Sequence, residues 1–185
     1  MNNLFLSTDG IAFRQLERED LSQLRDWRNS PAIRSRTREF KPLNMADQEK
    51  WFSSYNNSNI MFAIEKKGKL IGVCGLTHLD WKNRSAELSW YIGDGNYKAK
   101  GLGRHIIYLL CSYAFDEIGL WRFWGEVYEI DDKLVPMYKA LGFKIDGVVR
   151  DTYWDNGQWY PSAFISILNT EWTKMRANYL KEKGD

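Results

Sequence analysis

Apolar positions recur along the chain with two different periods, and the changes between them mark out its elements. Residues Ile11–Gln15 read as a strand, apolar at Ile11 and Phe13 and turning polar at Arg14. Asp20 stands where a helix N-cap would, with Gln23 three residues on in the manner of a capping box, and Leu21, Leu24 and Trp27 supply an apolar face. Asn29-Ser30-Pro31 ends this helix, because the residue before proline avoids the α region. A second helix is predicted from near Asn44, with Met45, Trp51, Phe52 and Tyr55 on one side. Three strand-like runs follow, over 60–66, 69–79 and 84–92, the first two joined by a short Lys67-Gly68 link. Beyond a glycine-containing segment, 93–103, apolar residues at 106, 107, 110, 113, 114 and 118 have helical spacing, and Gly119 suits the position past a helix end. Arg122–Tyr128 is strand-like, and Leu134, Met137, Tyr138 and Leu141 make a further helix before Gly142. Strands over 144–154 and 159–168 close the chain around Asn156-Gly157, a hairpin signal because both turn residues need positive φ.

This order predicts an α+β (mixed α/β) fold with a sheet of about seven strands and four helices, too antiparallel for a dinucleotide-binding fold. The 185 residues contain no Pro/Gly/Ser-rich linker and no internal repeat, so a single domain over 1–185 is expected, large enough to bury a core without staples.

Charge narrows the function. With 26 Lys+Arg against 24 Asp+Glu the net charge is +2, which excludes nucleic-acid binding through bulk charge and an acidic disordered chain. The longest apolar run, 106–115, is too short to span a bilayer, and the N-terminus has no basic region leading into an apolar one. Cys74 and Cys111 are far apart and the only histidines are His78 and His105, so neither a metal site nor a disulfide framework is expected, and a reducing, cytoplasmic location is. Both cysteines read as apolar fillers. The nine Trp are a surplus: Trp121, Trp124 and Trp172 read as core or packing residues, Trp27 and Trp51 lie beside arginines, and Trp154 and Trp159 flank the last turn.

The chemistry concentrates at Lys98-Ala99-Lys100-Gly101-Leu102-Gly103-Arg104, between a strand and a long amphipathic helix. Gly101 and Gly103 let the backbone approach an anion, and exposed N–H groups at a helix start hold negative charge. Lys98, Lys100 and Arg104 add positive charge, so a pyrophosphate is the predicted guest. The pattern is neither a GxxxxGK[ST] loop nor a GxGxxG fingerprint. An ordinary strand–helix turn is the alternative.

Lys98, Gly101 and Gly103, followed by Tyr138, Gly142 and Phe143, resemble the GNAT superfamily of acetyl-CoA-dependent N-acetyltransferases, whose loop runs Q/R-x-x-G-x-G/A and whose late helix ends Leu-Tyr-x-x-x-Gly-Phe. The resemblance spans about residues 11–172. It implies a mostly antiparallel sheet splayed between its fourth and fifth strands, here 84–92 and 122–128, with acetyl-CoA in the split. It implies that N–H groups of Gly101, Leu102, Gly103 and Arg104 bind the pyrophosphate, with Lys98 at the Gln/Arg position. Trp90, Tyr91 and Ile92 would meet the pantetheine arm, one amide polarising the thioester carbonyl. Asp131 stands where the family often has an Asn that contacts the cofactor. Asp131 can accept hydrogen bonds there but offers no amide donor. Pro136 removes a backbone hydrogen bond unless its helix begins late. Tyr138 would protonate the leaving thiolate, since a phenol with pKa of about 10 keeps its proton at neutral pH. Glu87 is the first candidate for general base and Glu126 the second, directly or through water. No cysteine is placed for an acyl-enzyme, so direct transfer in a ternary complex is expected.

The resemblance puts the acceptor wall on the first two helices and their link, where Arg25, Arg28, Arg34, Arg36, Arg38 and Lys41 interleave with Trp27 and Trp51. Guanidinium forks bind phosphates and aromatic faces stack on bases or sugars, so an anionic nucleotide-linked acceptor is expected there. Trp27, Arg28, Asn29, Arg36 and Trp51 are the candidate acceptor residues. The segments 27–31 and 48–52 are similar to the branch that acetylates the 4-amino group of a UDP-linked dideoxy sugar for pseudaminic acid. The tail, 147–150 and 156–159, is shared with ribosomal-protein N-terminal acetyltransferases and spermidine acetyltransferases, and both remain alternatives. An acetyl-CoA-binding sensor is the non-enzymatic one. The expected partner is a small-molecule amine, with no nucleic acid or membrane, and a homodimer is compatible with this reading.

Overall fold

A computed structural model describes residues 4–38, 40–54, 58–128 and 133–183. Its strands are β1 (Leu4–Thr8), β2 (Ile11–Gln15), β3 (Ile60–Lys66), β4 (Lys69–Asp80), β5 (Ser85–Ile92), β6 (Arg122–Tyr128), β7 (Lys144–Asp155) and β8 (Gln158–Leu168). Its helices are α1 (Leu21–Asn29), α2 (Pro31–Arg34), α3 (Met45–Ser53), α4 (Leu102–Ser112), α5 (Leu134–Ala140) and α6 (Asn169–Lys183). The strand order is β1-β2-β3-β4-β5-β6-β8-β7. The chain divides into two compact units, one of residues 1–77 and 89–109, the other of 78–88 and 110–185.

In the first unit, β1, β2, β3 and β4 pair antiparallel in sequence order. Ile11, Phe13, Leu21, Leu24, Ile64 and Ile71 are fully or almost fully buried. Arg14 ties the sheet to the first helix. Its Nε donates to Glu65 Oε1 at 2.6 Å and its terminal nitrogens donate to both Asp20 oxygens at 2.7 and 2.8 Å. The two carboxylates, Asp20 foremost, hold the Arg14 guanidinium well above its ordinary value.

In the second unit, β6 pairs antiparallel with β8, and β8 with β7. Phe123 and Val127 on β6 and Ala163, Ile165 and Ile167 on β8 are buried on one face. There α6 brings Trp172, Met175 and Tyr179. The end of α4 widens into a π-turn at Tyr113–Glu117, which presents Asp116 to the Trp172 indole N–H at 2.7 Å.

The fold is the expected α+β type, but the described residues hold eight strands and six helices, against about seven and four. The extra strand, β1, folds back on β2 through Asp9-Gly10, both at positive φ. Pro31 both ends α1 and, as first residue after the extended Ser30, starts α2, where its missing N–H costs nothing. In α6, residues 172, 175 and 179 carry helical spacing inside an otherwise polar segment. The Asp20–Gln23 capping box does not form: Asp20 is itself helical and makes no side-chain cap. Its carboxylate closes the turn before it instead, accepting from the Glu17 N–H at 2.9 Å. The capping box at α3 is Asn44 with Asp47, each accepting from the other's N–H. Tyr55, expected on the same helix, lies outside the described residues. Trp121, expected to pack, is 48% exposed because it precedes β6 and its alternation. Trp172 is buried as expected, and Trp124 is half-buried on the face opposite Phe123.

Candidate active site

β5 runs into Gly93, a short turn at Gly95–Tyr97, and then the loop that opens α4. Asp94 anchors the turn, accepting from Asn96 N–H at 2.9 Å and pairing with Lys69 at 2.7 Å. Within the loop Ala99 and Gly101 both have positive φ, +54° and +74°. Left-handed residues in a turn gather successive N–H groups into an anion-binding concavity, here followed by the start of an eleven-residue helix. Nothing lies within 4 Å of where a Gly101 Cβ would be, so the loop is open at its glycine. Leu102 and Gly103 are buried, Lys98 and Arg104 half-buried. This backbone fits a pyrophosphate. His105, one turn into α4, is paired through Nδ1 with Asp9 at 2.8 Å.

The residues assigned to the acceptor wall separate into packing and surface. Trp27, Trp51 and Tyr91 pack with Phe52 around the buried Leu16, Leu24, Ala63 and Val73. Trp27 lies against Gly93 so closely that a Cβ there would sit 2.0 Å from the indole. The Asn29 side chain serves as a splint, its amide donating to Leu43 O and its oxygen accepting from Leu43 N–H, both at 2.8 Å. Arg28 is half-buried beside the Tyr91 phenol. Burial pushes that phenol up, and Arg28 pulls it the other way. Arg36 is exposed beyond α2. Trp90 is half-buried and Ile92 buried on β5, while Asp131 lies outside the described residues.

In the second unit β5 runs parallel to β6 over Ser85↔Arg122, Ala86↔Phe123 and Glu87↔Trp124. Residues in register share a face, so Glu87, Trp124 and Glu126 look the same way. Glu87 is 7% exposed and pairs with His78 Nδ1 at 2.8 Å. Glu126 is half-buried and accepts from the hydroxyl of the fully buried Ser162 at 2.7 Å. Aromatic rings flank them: Trp124 stacks on Phe164 at 6.3 Å and Tyr128 on Tyr153 at 4.3 Å. In the sequence His78 is only a histidine without metal-ligand spacing. Its alignment with Glu87 across a strand pair comes from the fold.

Tyr138 sits on α5 and is buried. After the helix, Gly142 N–H donates to Lys139 O and Phe143 N–H to Tyr138 O, at 2.9 and 3.0 Å. This is a Schellman ending, with Gly142 at φ +95°. The Phe143 ring then meets the Tyr138 ring edge-on at 5.2 Å. The Tyr-x-x-x-Gly-Phe spacing is therefore a helix cap that fixes Tyr138 by both carbonyl and ring. Pro136 breaks no hydrogen bond, because α5 starts at Leu134 and its third residue needs no intrahelical acceptor. Cys74 and Cys111 are fully buried, and burial pushes both thiols up, so neither is poised as a nucleophile.

The acetyltransferase (GNAT) domain family matches residues 13–164. The chain belongs to the GNAT acetyltransferases. Among its curated relatives, the spermidine N(1)-acetyltransferase of Escherichia coli K12 is 24% identical over 168 residues, covering 90% of each chain. The putative ribosomal N-acetyltransferase YdaF of Bacillus subtilis is 30% identical over 125 residues, covering 66% of this chain and 67% of its own. Among solved structures, a spermidine N-acetyltransferase from Vibrio cholerae, in complex with CoA and spermine, superposes with a TM-score of 0.84 at 25% identity, covering 90% of this chain and 99% of that one. The chain is thus an N-acetyltransferase that uses acetyl-CoA. The amino-sugar branch is not among these relatives. No group of three or more His, Cys, Asp or Glu that could hold a metal ion occurs among the described residues. Nor is any described helix long and apolar enough to cross a membrane.

Proposed function

We propose that this GNAT enzyme acetylates a primary amine of a small polyamine. The observation that carries the reading is the similarity to spermidine N-acetyltransferases over nine-tenths of the chain. The second unit's sheet face supports it, since Glu87 and Glu126 among Trp124, Tyr128 and Phe164 suit a cationic amine through carboxylate and cation–π attraction. This replaces the amino-sugar acceptor as the main reading. That acceptor stays as the second one on a single observation: between residues 28 and 41 lie Arg28, Arg34, Arg36, Arg38 and Lys41, with Glu39 the one acid.

Bound acetyl-CoA supplies a thioester whose carbonyl carbon the amine attacks and whose thiolate leaves. N–H groups of Gly101–Arg104, with Lys98 beside them, hold the pyrophosphate. Backbone amides at Trp90–Ile92 align the pantetheine arm. Glu87 removes the amine proton, with Glu126 second in that role, and Tyr138 donates to the thiolate.

A thiol-release assay tests the acceptor with three amines: spermidine, a UDP-linked 4-amino sugar and a peptide with a free N-terminus. Transfer to spermidine is expected. Transfer confined to the sugar or to the peptide refutes the polyamine reading, and CoA release with none of them refutes the enzyme's assignment to these acceptors. Glu87→Gln is expected to lose the acidic limb of the pH–rate profile, and a limb that survives removes Glu87 as the base.

A further inference from the structure

We propose that His78 is a positioning residue for Glu87 and carries the proton taken by Glu87 out to water. This deepens the reading of Glu87 as the base and rests on it.

The need for an exit follows from proton counting. A primary amine arrives as an ammonium ion at neutral pH and leaves as an amide, giving up two protons. The departing CoA thiolate takes one, so one proton must reach solvent in each turnover. Glu87 is 7% exposed, a poor place to leave it. His78 has a side chain 67% exposed, yet its Nδ1 lies 2.8 Å from Glu87 Oε2. The imidazole thus touches the enclosed carboxylate and also reaches water.

Two further features hold the ring there. It lies 6.4 Å from the Trp124 ring, centroid to centroid, and Trp124 is in register with Glu87. The His78 backbone is left-handed, φ +49°, inside β4. Such a residue breaks the alternation of side chains along a strand, and histidine adopts this conformation more readily than most residues. Other charged groups nearby have their own contacts: Asp80 on β4 accepts from Asn83, Arg122 on β6 pairs with Asp146 of β7, and Glu126 accepts from Ser162.

The step balances without an added reagent. The ammonium N–H bond breaks and its proton joins a Glu87 oxygen, leaving the electron pair on nitrogen for attack on the thioester. With Glu87 protonated, His78 relaxes from the tautomer that carries its proton on Nδ1 to the one that carries it on Nε2, and the freed Nδ1 lone pair takes the Glu87 proton, restoring the carboxylate. The imidazolium then loses its Nε2 proton to bulk water, which leaves Nδ1–H on the Glu87 carboxylate as at the start.

The test compares wild type, His78→Asn, His78→Gly, Glu87→Gln and the His78→Asn/Glu87→Gln double variant, with spermidine as acceptor. Asn and Gly both tolerate φ +49°, so the strand is kept, and thermal unfolding checks it. His78→Asn is expected to lower kcat at least about tenfold, with KM for acetyl-CoA unchanged, as loss of a proton-transfer partner does. Added imidazole is expected to restore kcat in His78→Gly. The double variant should be no slower than Glu87→Gln alone, because the two residues act in series. Wild-type kcat in His78→Asn, a KM effect alone, failure of imidazole rescue, or additive losses each overturn the role of His78 and leave the base in place. Wild-type kcat in Glu87→Gln refutes the base and this inference with it, as does an enzyme that acetylates no amine.

Discussion

The cap that follows α5 makes a sharp prediction at Gly142. Replacing it with alanine leaves ample room, since a Cβ there would meet its nearest atom, Met175 Cβ, at 3.8 Å, an ordinary contact. The penalty is therefore in the backbone. Gly142 has φ +95°, and an L-residue in left-handed space costs about 1–2 kcal/mol. The alternative is to unwind the cap, which forfeits the Gly142→Lys139 and Phe143→Tyr138 bonds at about 1 kcal/mol each, so both routes give the same range. For a chain of this size that corresponds to a melting temperature lower by about 2–8 °C. Gly157→Ala is the control. It also sits at positive φ, +84°, with nothing within 4 Å, but in the distant β7–β8 turn. Both variants should melt earlier. Gly142→Ala alone should lose kcat several-fold at unchanged KM for acetyl-CoA, because Phe143 also supports the Tyr138 ring. Thermal unfolding and thiol release measure the two quantities. A Gly142→Ala protein that melts with wild type refutes the backbone argument. Equal loss of stability with full kcat in both variants refutes the link from cap to Tyr138.

Four other outcomes follow from the same structure. Tyr138→Phe keeps the edge-on contact with Phe143 and should lower kcat by about 100-fold or more with KM for acetyl-CoA unchanged, as loss of a general acid does; unchanged turnover removes Tyr138 from the chemistry. Gly101→Ala, at φ +74° with open space at its Cβ, should weaken acetyl-CoA binding by about tenfold through a backbone cost of about 1–2 kcal/mol, read in a KM titration. Gly93→Ala should destabilise by about 1–3 kcal/mol and shift tryptophan fluorescence, since its Cβ would fall 2.0 Å from the Trp27 ring. The Lys69 hydrogen bond holds Asp94 below its ordinary 3.8, and Asp94 holds Lys69 above its ordinary 10.5. The carboxylate's share of stability is then present above pH 3.8 and lost as pH falls through the lowered value. The amine's share is present below pH 10.5 and lost as pH rises through the raised one. A small gap between wild type and Lys69→Met in urea midpoint at pH 7 should therefore shrink as pH falls below 3.8 and as it rises above 10.5; a gap that stays constant across the whole range contradicts the pairing.

Features written in a few adjacent residues are legible in the chain itself. The Asn156-Gly157 turn, the helical faces of α1 and α4 and the open glycine loop depend on φ preference and local hydrogen bonding, which travel with the residue type. The same chemistry acts at Asp9-Gly10, a turn signal that accounts for β1, and at Pro31, which stops one helix and starts another; apolar periodicity by itself passes over both. Asp20 fails as a cap for a different reason. Arg14, from the neighbouring strand, takes both its oxygens, and a tertiary ion pair outcompetes a local cap.

Local sequence suffices to say that a glycine turn opens one helix and that Tyr138 lies in the last turns of another ahead of a glycine cap. Both are settled by torsion angles and by bonds spanning at most five residues. The partners of the carboxylates, Glu87 with His78 and Glu126 with Ser162, and the role of Asn29 as a splint to Leu43 come from tertiary packing. Those pairings depend on which strands and segments are brought side by side, a consequence of burying whole faces rather than of any local pattern.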